Sequence, residues 1–367
     1  MATIGGTAPS QNTINYDSLL STTLMAYRNT LVDNIFKDSA FLAALRKYDG
    51  IDYQDGGERI QIPLMYETNS TVKSYSGYET LNTQPQDGIT SAFYPWCEIA
   101  GTISISRKEE RQNSGEAALM KLLEKKIMQA EMSIKEAVNS QLVTGTVSSS
   151  STFVPGNSSK DLFPLGYFLR RLCATDPVSG GNVGNIAAAT YSWWRARAAI
   201  MSTTAETGNA FGLTVTTYAG LKVGLKRMYN YCSKGADGSG PNLIVADQTT
   251  YETYENAMDT QVRYLDTELA DLGFDNIRLK GATMIWDEAV PDIYTGTAAL
   301  TVGSCFFLNT KFYKLVIDSS TDFVTTPFIE PENQTAKTAK ILFMGNATIS
   351  NPRKCGVTYG HALTIVA

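Results

Sequence analysis

Charge is scarce in this sequence: Asp, Glu, Lys and Arg make up 18% of its 367 residues, against roughly 25% in an average soluble domain. Much of the surface must therefore be uncharged. Net charge is −5, without any long block of like charge, which excludes both a basic footprint for tight nucleic-acid binding and an acidic tail. Histidine is reduced to His361. A lone His on a terminal strand is far more often structural than catalytic, and no GxSxG elbow stands in the chain. The five cysteines, Cys97, Cys173, Cys232, Cys305 and Cys355, are far apart, with neither CxxC spacing nor a His neighbour. They read as reduced, mostly buried thiols, and a zinc site is set aside. No run of about 18 apolar residues offers a membrane span. The opening MATIGGTAPSQNT lacks the basic and apolar regions of a signal peptide, so the expectation is a soluble chain made in the cytoplasm with no membrane partner.

The remaining chemistry is equally thin. The glycines of SGGNVGN match neither a phosphate loop nor a dinucleotide fingerprint and read as a turn. Asp287 and Glu288 are adjacent, so on a strand they point to opposite faces and do not form an acid/base couple. Trp193, Trp194 and Arg195 could stack a base or sugar, although burial is the commoner fate of two adjacent Trp. No catalytic residue, metal site or cofactor is assigned, and the expectation is a protein that is not an enzyme.

What is present is globular: 43% hydrophobic residues and 19 Tyr, in a length that holds two or three core-bearing units. Tyr in a weakly charged surface points to contact with other protein; a Tyr-rich monomer is the alternative. Residues 1–16 read as an extended arm. Asp17 caps a helix carrying Leu20, Leu24, Tyr27, Leu31 and Ile35 at spacings of three and four, and a short helix follows over Phe41–Tyr48. A strand over Arg59–Ile62 has Pro63 beside it, which belongs at an edge rather than in a central sheet, and a return strand runs from Ala92 to Ser106. Between them residues 67–90 have no periodicity. Loops longer than about 15 residues inside a domain are usually functional or disordered. Tyr66, Lys73, Tyr75, Tyr78 and Leu81 make this one the candidate inter-subunit contact, with a disordered linker as the alternative.

Met120, Leu123, Ile127, Ala130, Ile134 and Ala137 then mark one helix over 107–142, about 40 Å long from Glu116 to Leu142. A Ser/Gly/Pro-containing break covers 144–160. From residue 213 helices and short strands alternate: Leu221, Leu225 and Met228 on a helix, Leu243–Ala246 as a strand capped by Asp247 into another helix, and IRLKGATMIWD as one further strand. The C-terminal part is β-rich, with Phe306, Leu308, Leu315 and Ile317 available to pack on the long helix. The class is α+β.

This order of parts resembles the major capsid proteins of tailed bacteriophages, whose shell fold is named after phage Hong Kong 97. GGERIQIPLMYETNSTVKSYSGYETL, NVGNIAAATYSWWRA, FLNTKFYKLVID and FMGNATISNPRKCGVTYG look like stretches of that family, and the likeness covers nearly the whole chain. It implies a Hong Kong 97-like fold with an N-terminal arm and helix (1–52), an extended β-hairpin loop (53–106), and a peripheral domain with the spine helix (107–212). An axial domain (213–300) and C-terminal strands returning to the peripheral domain (301–367) complete it.

The implied function is structural: self-assembly as hexamers and pentamers into the icosahedral head of a virion, enclosing double-stranded DNA without reading its sequence. Implied partners are a scaffolding protein, a portal and a decoration protein. The scaffold is expected to be a separate protein, because only a short arm and loop precede the spine here. The best-known member also joins a loop Lys to an Asn of a neighbour; Lys73 is the only Lys within residues 50–106, with Asn346 and Asn351 as possible acceptors and no Glu placed beside them. Two other readings stand beside this one: an encapsulin-type bacterial compartment with the same fold, and a carbohydrate-binding or adhesion module.

Overall fold

A computed structural model of the protein describes residues 39–112, 122–144, 146–149, 152–169, 182–201, 210–212, 215, 217–235, 239–258, 277–290, 303–332 and 335–360. The expected N-terminal arm and first helix, Met120, Cys173 and His361 lie outside the described residues. The chain divides into a larger unit, Lys37–Ala100, Ile134–Val324 and Leu342–Ala367, and a smaller one, Met1–Phe36, Gly101–Ser133 and Thr325–Ile341.

The larger unit holds a mixed seven-stranded sheet in the order Ala210–Gly212, Arg197–Ile200, Gly356–Tyr359, Ser304–Leu308, Leu243–Ala246, Ala282–Trp286, Ile277–Leu279. LIVA and SCFFL are apolar without alternation because both faces of these strands are covered, and every residue in them is buried. On one face, the helices Tyr218–Cys232 and Gln248–Met258 bury Leu221, Leu225, Met228 and Tyr254 against Ile244, Met284 and Phe307. Thr217 caps the first of these helices, its Oγ1 accepting from the Gly220 amide at 3.2 Å, as an N-cap hydroxyl does. Thr283 alternates to the opposite face, where its hydroxyl lies 2.6 Å from that of Tyr48, just past the helix Ala40–Lys47. Leu315 and Ile317 belong to a separate set of strands: Tyr313–Asp318 runs parallel to Ile51–Gln54 and antiparallel to the far half of Ala336–Ile349.

Several expectations change in detail. IRLKGATMIWD is a hairpin, Ile277–Leu279 against Ala282–Trp286, because Lys280 takes φ 55° and reverses the chain. The break at 144–160 contains a second hairpin, Thr146–Ser149 with Thr152–Val154. The long helix is described as Arg107–Gln112 and Leu122–Val143. Its buried stripe in the larger unit is Ile134, Val138 and Leu142, with Ala137 only half-buried. The stripe steps by four from Ile134 where an alternation of three and four was expected, so Val138 takes the buried place of Ala137.

In the smaller unit the strand Cys97–Ser106 pairs with Ala336–Ile349 and leads directly into Arg107–Gln112. SRKE forms a capping box there: the Glu109 amide donates to Ser106 Oγ at 3.2 Å, and the Ser106 amide donates to Glu109 Oε2 at 3.1 Å. Lys126 Nζ lies 3.0 Å from the same carboxylate and donates to the Ser104 carbonyl at 3.1 Å. The Ser-x-x-Glu spacing of this box is a local sequence signal for a helix start.

Gly356 fixes how closely the Tyr218–Cys232 helix approaches the sheet. A Cβ there would lie 2.2 Å from Met228 Cε, 2.7 Å from Cys232 Sγ and 3.1 Å from the Arg197 carbonyl. Gly356→Ala is therefore expected to cost about 1–3 kcal/mol by overpacking, read as a lower urea midpoint at unchanged slope. A second expectation concerns acid. The Ser106 amide and Lys126 hold the Glu109 carboxyl below its ordinary range, and hydroxyls of Ser320 and Thr321 with the Gly56 amide do the same for Asp318. A depressed folded pKa stabilises fully above the unfolded value of about 4 and loses that contribution as pH falls through the folded one. Melting temperature should drop below about pH 4, and Asp318→Asn should flatten that acid limb; an identical limb in the variant would remove Asp318 from the account.

Candidate assembly interface

The chain leaves Ile51–Gln54 through Gly56 and Gly57, at φ 55° and 102°, a left-handed conformation that glycine adopts without strain. It then enters a two-stranded antiparallel ribbon, Ile60–Met65 against Ile89–Tyr94, in which Pro63 stands opposite Ser91. The edge assignment for Pro63 is correct, and among the described residues the ribbon has two strands. The expected return strand from Ala92 to Ser106 is two strands, interrupted at Pro95 and Trp96, since Pro95 lacks the amide that a continuous ladder needs.

Alternation gives the ribbon two faces. Ile60, Leu64, Ala92 and Tyr94 are buried. The Tyr94 ring meets Phe163 and Phe168 edge-on at centroid distances of 6.3 and 6.1 Å, and its hydroxyl donates to the Ile349 carbonyl at 2.7 Å. Burial pushes the Tyr94 pKa far above the ordinary phenol range, so it remains a donor. Beside it the Phe93 amide donates to the Gly184 carbonyl at 3.1 Å. SGGNVGN supplies that contact: Asn182–Val183 and Ile186–Ala187 form a small hairpin whose Gly184 and Asn185 both have positive φ, the requirement of a tight primed turn.

Asn346 closes the root. Fully buried, it donates to the Pro95 carbonyl at 2.8 Å and accepts from the amides of Phe163 and Ala347 at 3.0 and 2.8 Å. Of the two possible acceptors for a loop Lys, Asn346 therefore has its amide enclosed and already bonded. Lys73 instead donates to the Thr80 carbonyl at 3.1 Å, with Glu79 at 3.7 Å.

The far end of the ribbon is different. Residues 67–88 form no strand or helix, and among the described residues their side chains bond within the segment, as Ser70 with Gln86 and Asn69 with Thr71 do. Val72 is 82% exposed, Tyr75 64%, Tyr78 fully and Leu81 49%. The outward pair Met65 and Ile89, opposite one another in the ladder, adds 82% and 69%. Of the expected contact residues, Lys73, Tyr75, Tyr78 and Leu81 thus share the exposed tip. Tyr66 does not; it stacks on Trp193 at 5.4 Å and donates to the Asp87 carbonyl at 2.8 Å. Sequence reasoning missed Met65 and Ile89, which the period of two would have put opposite the buried Leu64 once the register was known.

Asp287 and Trp194, both considered for chemistry, are held in structural contacts. Asp287 is buried, accepting from Asn139 Nδ2 at 3.2 Å and the Ala289 amide at 2.9 Å. Trp194 is buried with its Nε1 donating to the Val183 carbonyl at 2.9 Å, so the two Trp do not form a ligand platform. Four cysteines, Cys97, Cys232, Cys305 and Cys355, are buried and free, with burial pushing Cys97 up to about 11 and Cys355 up to about 12.

No family model matches this chain, and no curated protein matches it. Solved structures do. The capsid of cyanophage A-1(L) is 15% identical with a TM-score of 0.64, over 95% of this chain and 99% of that one. The capsid of Myoviridae phage XM1 is 11% identical at 0.53, over 97% and 100%. The SrpI encapsulin of Synechococcus elongatus PCC 7942 is 7% identical at 0.53, over 95% of each. At these identities the likeness is one of fold, and this chain has the α+β fold of the phage capsid subunit.

Proposed function

We propose that this chain is a major capsid protein, a structural rather than an enzymatic component, which assembles with copies of itself into the icosahedral head of a tailed bacteriophage around double-stranded DNA. The observation that carries the reading is a ribbon clamped at its root whose tip leaves Val72, Tyr75, Tyr78 and Leu81 uncovered, on the fold of capsid subunits. Ordering about 20 residues costs roughly 20–40 kcal/mol. At about 25 cal/mol per Å² that cost is offset by on the order of 800–1,600 Å² of apolar burial, the size of an ordinary protein–protein interface. Lys73, Tyr75, Tyr78 and Leu81 meet a neighbouring copy, and Tyr66 positions the tip through Trp193.

In the same reading residues 53–106 are the extended loop, 107–212 the peripheral domain, 213–300 the axial domain, and 301–367 the return to the peripheral domain, with 1–52 an arm on another neighbour. Rings of six and five copies close into the shell through repeated interfaces. A separate scaffolding protein and a portal direct closure, and a decoration protein is a further partner. The net charge of −5 is compatible with dense, reversible packing of DNA, since tight phosphate binding would oppose it. Assembly takes place in the cytoplasm of a bacterial host. The likeness to the SrpI encapsulin supports a second reading, a compartment enclosing an enzyme.

Expressed alone and with the neighbouring candidate scaffold gene, the chain should yield megadalton shells or rings of five or six in sedimentation and electron micrographs. DNA inside favours the phage head and an enzyme favours the compartment. A stable 40 kDa monomer under both conditions would sink the proposal. Replacing Tyr75, Tyr78 and Leu81 together by Ser should abolish assembly while moving subunit stability by no more than about 0.5 kcal/mol per site; normal shells from that variant would remove the tip from the interface.

A further inference from the structure

The two helices that cover the seven-stranded sheet carry opposite charge. Lys222, Lys226 and Arg227 are the charged residues of Tyr218–Cys232, and Glu252 and Glu255 those of Gln248–Met258. They also lie over opposite halves of the sheet. The basic helix packs on Arg197–Ile200 and Gly356–Tyr359, toward one edge, and the acidic helix on Ala282–Trp286, toward the other.

On the basic helix Val223, Lys226, Arg227 and Asn230 form an exposed stripe at helical spacing, with Val223 51% exposed among the charges. Lys280, from the turn between Ile277–Leu279 and Ala282–Trp286, donates to Asn230 Oδ1 and adds a fourth cation. Lys222 and Lys226 stand at i and i+4, where like charges repel. Such a stripe is unfavourable within its own helix and favourable opposite acid. On the acidic helix the exposed stripe is Gln248, Glu252 and Asn256. Glu255 is half-buried and already engaged within the chain, so Glu252 is the carboxylate turned outward.

Closing a ring of five or six requires a head-to-tail contact, in which one patch of each copy meets a different patch of the next. Opposite charges on opposite halves of one layer supply such a pair, and repulsion between like faces fixes the direction of the ring. Given assembly into rings as proposed above, we infer that the Val223, Lys226 and Arg227 face of one copy packs on the Glu252 face of the next. Each exposed ion pair is weak, so the contact acts by repetition around the ring and weakens with salt.

Two variants of the full chain test this. Lys226→Glu with Arg227→Glu makes both faces acidic, and Glu252→Lys with Asn256→Lys makes both basic. Each variant alone should raise the concentration needed for assembly by about tenfold or more at low salt, with circular dichroism and urea midpoint unchanged. Co-expressed, the two can only alternate around a ring, which closes six copies and not five. Electron micrographs should then show rings of six, in sheets or tubes, without closed shells. All four changes in one chain should restore rings of both sizes. Normal assembly by either two-site variant would overturn the contact and leave the capsid reading standing. Variants that lose urea stability and are rescued neither by mixing nor by the four-site chain would overturn it as well, the partner of the basic stripe then lying in the same chain. A wild type that stays monomeric removes the capsid reading and this contact together.

Discussion

The enclosure of Asn346 and Tyr94 at the root of the ribbon is the constraint on which the rest of the surface depends. One side chain, Asn346, satisfies a carbonyl at Pro95 and two amides, at Phe163 and Ala347, so three segments distant in sequence share a single amide group. Tyr94 adds an aromatic wall and a hydrogen bond to the Ile349 carbonyl. Buried polar groups stabilise only when their partners are all in place, and here they are. The two-stranded ribbon is therefore fixed at its root, while Tyr75, Tyr78 and Leu81 at its tip stay exposed.

The seven-stranded sheet meets the same need by other means. Its central strands come from residues 243, 304 and 356 onward, and two-sided burial makes them apolar throughout. Gly356 then lets the Tyr218–Cys232 helix settle against a strand contributed by the last part of the chain. Arg197 sits at that junction, opposite Gly356 in the sheet and bonded to Tyr231 in the last turn of the helix.

Much of this was legible beforehand because local rules decided it. Pro63 kept its strand at an edge, Leu221, Leu225 and Met228 marked one face of a helix, and LIVA followed by Asp247 located a buried strand and the helix after it. The exposed residues of the tip were legible for the same reason: a long polar stretch with isolated Tyr and Leu has nothing local to pack on. The failures came where a single residue turns or halts the chain. Lys280 in a left-handed conformation made two strands of an expected one, and Pro95 divided the return strand.

The sequence by itself determined the α+β class, the order of ribbon, long helix and alternating segments, and the absence of local burial at residues 67–88, because periodicity and turn chemistry act over a few residues. Only the tertiary structure decided that Asn346 is enclosed and Tyr66 stacks on Trp193, while Met65 and Ile89 face outward. Those facts depend on register and on contacts between residues more than a hundred positions apart, which no local pattern encodes.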